Sequence, residues 1–168
     1  RDVASGPLLR LSHDRYVPDL RALREELRAA SDSLVVPQLI DFLKIATRKP
    51  TREYIAGMVR RGRLPEATLA VTDADFEANL EAYLPDPRDR RDFRFGYRQT
   101  IEDLALSEIR QIPGCFAAAA RRAWHAGFDG VELHFAHAYT MASFLSITNG
   151  RSDAYGGSFE NRMRLPLE

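Results

Sequence analysis

The chain has 168 residues, with 24 basic and 24 acidic side chains and a formal net charge of zero. This length is ordinarily one domain, and the charge balance argues against nucleic acids and anionic membranes as partners. The single cysteine, Cys115, excludes an internal disulfide and a cysteine-based zinc or iron–sulfur cluster. No apolar run approaches the length of a membrane span, and a cytoplasmic location is the default expectation.

The first predicted elements are a helix and a strand between Tyr16 and Leu43. Pro18 suits the first helical turn, and an apolar stripe at helical spacing follows at Leu20, Leu23, Leu27 and Ala30. The continuous apolar run 34–40 then predicts a strand buried on both faces. Pro37 lacks a ladder donor, so we expect it near the strand end.

The middle segment, from about Lys44 to Arg98, is interpreted as a mostly helical insertion. Thr51 is predicted to cap one short helix and Thr72 a second one, while the Asp- and Arg-rich run 85–94 is predicted to be a solvated linker. Because the insertion leaves directly after a strand, it begins on the face where barrel enzymes build their active sites. We therefore expect a lid or an assembly element.

The last third contains a predicted helix and a second strand. Ser107 is a plausible N-cap, Pro113 interrupts the helical pattern, and an Ala-rich helix from Cys115 ends at Gly127. We expect Cys115 to be a small buried side chain and Trp124 to face a sheet. The alternation over 131–134 predicts a short strand, and the order helix, strand, helix, strand favours parallel βα units.

The residues from Ala126 to Arg164 carry a resemblance to a known family. The pattern runs A-G-F-D-G-V-E over 126–132, H-x-x-H-x-Y over 134–139, F-L-S over 144–146, N-x-R-x-D-x-Y-G-G-S over 149–158 and E-N-R-x-R over 160–164. This segment resembles the old yellow enzyme family of FMN-dependent NADH:flavin oxidoreductases. The resemblance is strong over the last third, thinner over 16–42, and not seen over much of the middle.

The resemblance implies a fold and an activity. The fold is a (β/α)8 TIM barrel, and since a complete one takes about 250 residues, residues 1–168 would be an internal part of one barrel domain with the insertion at about 44–98. The activity is ene-reduction, in which NAD(P)H reduces FMN and hydride then passes to an activated C=C bond of an enone-type substrate. A small electrophilic alkene is the implied partner, with neither nucleic acid nor membrane, and a homo-oligomer stays open.

The resemblance also assigns the site. His134 and His137 match the pair that binds a substrate oxygen, Tyr139 matches the proton donor to the α-carbon, and Gln38 matches a glutamine on the flavin pyrimidine edge. No metal is implied. An amide offers a donor and an acceptor together, and two N–H donors stabilise an oxyanion where charge develops.

Other interpretations of these residues stay open. The histidines could be ordinary loop residues or, less favourably, metal ligands, and Gln38 could cap a strand end. The chain could also be a catalytically inactive partial barrel that acts in interaction or assembly. The run 149–157 is expected to build structure more than chemistry, with Gly156 and Gly157 permitting positive φ and with Glu160, Arg162 and Arg164 forming ion pairs at a helix start.

Overall fold

The chain was studied as a computed structural model, which describes residues 8–44 and 48–168. It divides into two compact units, one formed by Arg1–Leu43 with Thr100–Glu168 and the other by Lys44–Gln99. Residues 45–47 of the predicted insertion lie outside the described residues. That the second unit is an insertion in a barrel, with a lid or assembly role, stays a prediction.

The first unit alternates helices with two short strands. Its elements are α1 (Val17–Ala30), β1 (Gln38–Leu39), and, after the second unit, α6 (Leu106–Ile109), α7 (Ile112–Ala126), β2 (Glu132–Leu133), α8 (Thr140–Leu145) and α9 (Phe159–Leu167), with 3-10 turns at Asp14–Tyr16 and Ile101–Asp103. The second unit contains α2 (Thr51–Arg60), α3 (Asp73–Ala78), α4 (Leu80–Tyr83) and α5 (Pro87–Phe95), with a 3-10 turn at Glu66–Ala70.

The two strands pair in parallel, with Gln38 opposite Glu132 and Leu39 opposite Leu133. Backbone hydrogen bonds extend the pairing at both ends, since the amides of Asp129, Glu132 and His134 donate to the carbonyls of Val35, Pro37 and Leu39 at 3.0–3.1 Å. The predicted parallel βα arrangement is confirmed, although β1 is shorter than the predicted strand 34–40. Pro37 fits here because the ladder uses its carbonyl and not the missing N–H.

Helices α1 and α7 pack on this strand pair. Leu20, Ala123, Ala126 and Phe128 form a buried cluster, with Val35 and Val131 partly buried against it. Pro18 lies in the first turn of α1, as predicted, but Leu23 and Leu27 are 37% and 43% exposed. Only part of the predicted stripe is therefore covered within the described residues, because the contact with α7 is centred on Leu20.

Helix α7 differs from its prediction in three respects. It begins at Ile112, with Pro113 in its first turn, so Pro113 starts the helix that it was expected to interrupt. Trp124 is 75% exposed, so the prediction that it faces the sheet is wrong, since Ala123 and Ala126 occupy that face. Cys115 is exposed, not buried. Gly127 ends the helix at φ +90°, as its position predicted.

The second unit has its own core, formed by Ile55, Met58, Leu64, Phe76, Leu80, Leu84 and Phe93. Thr72 caps α3 by accepting a hydrogen bond from the Asp75 amide, as predicted. Thr51 is the first residue of α2 and not its cap, since its hydroxyl donates to Glu77. The predicted linker 85–94 is mostly helix α5, because Asp86 caps it, Pro87 begins it and the buried Phe93 anchors it.

Candidate active site

One face of the strand pair carries most of the polar site residues. Side chains alternate between the two faces of a strand, so Gln38, Glu132 and His134 share one face while Leu39 and Leu133 occupy the other. The amide nitrogen of Gln38 donates to the Glu132 carboxylate. Gln38 and His134 are both predicted site residues and are 96 positions apart in the chain. The pairing of the two strands places them on the same face, at the carboxyl ends of adjacent parallel strands.

Three rings cluster where β2 ends. The His134 ring lies 5.3 Å from the His137 ring and 5.3 Å from the Tyr139 ring, measured between centroids, and His137 and Tyr139 are 6.3 Å apart. Phe42, just beyond β1, meets Tyr139 edge-on at 4.6 Å. The structure therefore groups the two histidines and the tyrosine, which the sequence alone places only on one short segment.

The segment between the histidines and Tyr139 has an unusual backbone. His137 and Ala138 have φ values of 56° and 54°, in the left-handed region that residues with a Cβ seldom adopt. Such conformations cost of order 1 kcal/mol each and persist where the surroundings enforce them. The Tyr139 amide closes the turn on the Ala136 carbonyl at 3.2 Å, which returns the chain toward β1.

Thr140 anchors this turn to the chain that leaves β1. Its hydroxyl contacts both the backbone carbonyl and the carboxylate of Asp41, at 2.8 and 2.7 Å, and its amide donates to the same carbonyl at 3.1 Å. Thr140 is fully buried, so these hydrogen bonds are shielded from water. The anchor holds Tyr139, at the start of α8, beside Phe42. Sequence reasoning missed Asp41 and Thr140, and no local signal identifies the pair.

Residues 149–157 form a hydrogen-bonded loop in which Asn149, Tyr155 and Gly156 are buried, in accordance with the expectation that they build structure. The Asn149 amide donates to the carbonyls of Phe144 and Tyr155, at 2.9 and 2.8 Å. Arg151 donates to the carbonyls of Ile101 and Leu104 and pairs with Asp153. The Arg151 guanidinium, aided by the Tyr155 amide, holds the pKa of Asp153 below its usual value.

The two glycines of this loop have different roles. Gly157 has a φ of +79°, as expected for a tight loop. Gly156 is required by close approach, because a Cβ there would overlap the backbone carbonyl of Arg151.

Within the part of the chain that the structure describes, the arginines of α9 bond to the backbone and form none of the predicted ion pairs. Arg162 donates to Leu145 and Gly157 carbonyls, and Arg164 donates to the carbonyl of Ala154. These contacts tie the helix to the loop before it.

Arg24 and Asp129 form a further contact that the sequence did not reveal. The Arg24 side chain is only 21% exposed and lies 3.6 Å from the Asp129 carboxylate. Asp129 also accepts from the Val35 amide at 2.9 Å. This backbone hydrogen bond, and then the nearby Arg24 charge, lower the pKa of Asp129. Asp129 therefore joins the segment before β1 to the segment before β2.

In the second unit, burial raises the pKa of a tyrosine, in contrast to the lowered pKa of Asp129. Burial, followed by the nearby Asp89 charge, raises the pKa of Tyr54 to about 12. Its hydroxyl donates to the Asp89 carbonyl at 3.2 Å, and its ring meets Phe93 at 5.1 Å. Tyr54 is thus a structural residue of that core.

Parallel strands with polar groups at their carboxyl ends define the class, which is an α/β unit with an enzyme-like site. The family model for the NADH:flavin oxidoreductase / NADH oxidase family matches residues 68–168, more than half of the chain. The chain belongs to this family, which confirms the resemblance drawn from residues 126–164. The match begins at residue 68, so the family similarity extends well beyond that motif.

Individual relatives agree with the family. An NADH oxidase from Thermoanaerobacter brockii is 55% identical over 39% of this chain and 10% of its own length. A putative 12-oxophytodienoate reductase 13 from Oryza sativa subsp. japonica is 37% identical over 65% of this chain and 26% of its own length. A solved structure of morphinone reductase in complex with tetrahydroNAD is 51% identical over 38% of this chain and 18% of its own, with a TM-score of 0.37.

The matched segments span only 10–26% of these curated relatives. The family's cofactors are FMN and NAD(P)H, in agreement with the cofactors that the sequence led us to expect. In the part of the chain that the structure describes, no helix has the length and apolarity to cross a membrane.

The residues present suit a flavin and its substrate. Gln38 is exposed on the sheet face that also carries His134, so a flat ring could lie against its amide. The Nε2 atom of His134 is buried and has no hydrogen-bond partner among the described residues. A buried ring nitrogen without a partner carries a free-energy cost, which a hydrogen bond to a bound ligand would remove. The polar groups of Gln38 and His134 therefore fit a heteroaromatic cofactor.

Proposed function

We propose that residues 1–168 form part of a (β/α)8 barrel in a flavin-dependent ene-reductase. The enzyme transfers hydride from FMN, reduced by NAD(P)H, to the activated C=C bond of an enone-type substrate. One observation carries the proposal: two parallel strands bear the exposed amide of Gln38 and the ring of His134 on one face, and the His137 and Tyr139 rings, in the turn that follows, each lie 5.3 Å from the His134 ring. Family membership supports the flavin chemistry. The chain matches only a small part of each relative's length, which supports its being part of a longer protein.

Each residue has a distinct role in this proposal. Gln38 holds the pyrimidine edge of the flavin through its carboxamide, which offers a donor and an acceptor. FMN, when bound, supplies the hydride chemistry. The protein contributes binding, orientation and the protons that the flavin does not provide.

His134 and His137 bind the substrate oxygen. Hydride arrival at the β-carbon of an enone moves negative charge onto the carbonyl oxygen, and imidazole N–H groups aimed at that oxygen lower the barrier. The buried Nε2 of His134 is already desolvated, so its hydrogen bond to the oxygen is not weakened by water.

Tyr139 donates the proton to the α-carbon. A phenol can do this from a neutral O–H that is held in position. Phe42 packs edge-on against the ring, and the contact between Thr140 and Asp41 fixes the adjoining backbone. These contacts restrict the Tyr139 ring, whose centroid lies 5.3 Å from that of His134 and 6.3 Å from that of His137.

The test uses the full-length protein that contains residues 1–168. We expect it to bind FMN, to show flavin absorbance, and to oxidise NAD(P)H when 2-cyclohexenone is supplied. Gln38→Ala should weaken FMN binding, whereas Gln111→Ala, an exposed glutamine before α7, should not. A full-length protein that stays colourless after dialysis against excess FMN would contradict the proposal and favour the inactive interaction or assembly piece.

A further inference from the structure

Glu132 shares a strand face with Gln38 and His134, but the proposed roles do not use it. It is opposite Gln38 in the β1–β2 register, and adjacent strands lie only about 4.8 Å apart. Its carboxylate accepts a hydrogen bond from the amide nitrogen of Gln38. Both side chains are exposed on the face that carries His134, so their pairing is not forced by burial in a core.

The contact determines which way the Gln38 amide points. An ionised carboxylate only accepts hydrogen bonds, so the NH₂ end of the amide must face Glu132 and the oxygen must face away from it. An amide beside a neutral partner could flip between two orientations. Glu132 therefore removes one of the two orientations and leaves Oε1 and the second N–H of Gln38 directed together toward a ligand.

That pair of groups matches one kind of ligand edge. An acceptor beside a donor is complementary to a ring N–H flanked by a carbonyl, which is the arrangement of a cyclic imide. The flavin pyrimidine ring has such an edge. A flipped amide would place two donors or two acceptors against each other and would lose a hydrogen bond to the ring.

We propose that Glu132 is a positioning residue for the flavin: its carboxylate fixes the Gln38 amide in the orientation that presents Oε1 and one N–H to the imide edge. This inference rests on the proposed function. It has a second consequence, because a carboxylate on the same face disfavours added negative charge on a neighbouring ring. Glu132 should therefore lower the midpoint potential of the bound flavin.

The test measures FMN dissociation constants and midpoint potentials in the full-length protein. Glu132→Gln keeps the size and polarity of the side chain but can donate as well as accept, so the Gln38 amide is free to flip. We expect FMN affinity to fall about tenfold, as for one lost hydrogen bond to the ring. The midpoint potential should rise. Glu132→Asp, which remains an acceptor-only carboxylate, should lose less affinity and should keep the lower potential.

A double variant shows whether Glu132 acts through Gln38. In a Gln38→Ala background, Glu132→Gln should cause no further loss of FMN affinity, since contacting residues that act together are not additive. Additive losses would overturn the inference, as would a Glu132→Gln protein with the affinity and potential of the wild type. If the wild-type protein binds no FMN, the proposed function fails together with the inference. If the wild-type protein binds FMN but the Glu132→Gln protein has the same affinity and potential, only the inference about Glu132 fails. A purely structural role would lower stability in both Glu132 variants without raising the potential of either.

Discussion

Replacement of His134 by leucine should separate ligand binding from stability. The Nε2 atom of His134 is buried without a hydrogen-bond partner among the described residues, which costs about 1–3 kcal/mol in a typical protein. Leucine removes this polar atom and retains apolar contact with the adjoining rings at 5.3 Å. We therefore expect the free energy of unfolding to fall by no more than about 1 kcal/mol, or to rise.

The same change should strongly reduce function. Loss of one donor from an oxyanion site costs roughly 2.7–4 kcal/mol, or about 100- to 1000-fold in rate. In stopped-flow experiments, oxidation of the reduced protein by 2-cyclohexenone should slow by this factor, while its reduction by NAD(P)H should change much less. Binding of a phenol, which mimics the substrate oxygen, should weaken in parallel.

A matched control is available in the same unit. His125 lies exposed in the last turn of α7, so His125→Leu removes an imidazole without touching the cluster. It should leave phenol affinity and both half-reactions unchanged. A His134→Leu protein that binds phenols and turns over enones like the wild type would refute the assignment of this histidine.

Three further outcomes are expected in the full-length protein. Tyr139→Phe should slow the reduction of simple enones by about 10²–10⁴-fold, the usual contribution of a positioned acid, and quinones, which need less protonation, should be affected less; equal loss for both would argue against a proton donor. The pKa of Asp153 in the folded protein lies below its ordinary value. The ionised carboxylate therefore stabilises the fold above about pH 4, and this stabilisation is lost as the pH falls through the folded pKa. The melting temperatures of Asp153→Asn and wild type should differ at about pH 7 and converge in acid. Gly156→Ala should lower the melting temperature sharply, because the added Cβ would overlap the Arg151 carbonyl. The control, Gly114→Ala, places a Cβ where no atom lies within 4 Å and should stabilise α7 by up to about 1 kcal/mol. Similar melting temperatures for the two variants would contradict the close approach at Gly156.

The sequence by itself determined the local features of this protein. Gly127 at the end of a helix, the alternation of Val131 to His134, and the parallel βα order all depend on neighbours within a few positions, and the structure agrees with them. The dense motif over 126–164 likewise identified the family, because fixed spacing of many residue types is specific without any knowledge of contacts.

Local patterns also failed where two interpretations were compatible with the same composition. The composition of the charged run 85–94 predicts a linker, although Asp86 and Pro87 are a helix-start signal and Phe93 is the buried anchor of the helix. The prediction for Trp124 is wrong because periodicity indicates that an apolar face exists but does not identify what covers that face.

Only the tertiary structure decided which distant residues meet. Glu132 and Gln38 are 94 positions apart, as are Asp129 and Val35, and Thr140 lies 99 positions from Asp41. These contacts depend on the register of two parallel strands, which joins segments that are far apart in the chain. The sequence therefore determined which chemical groups are available, and the strand register determined which of them act together.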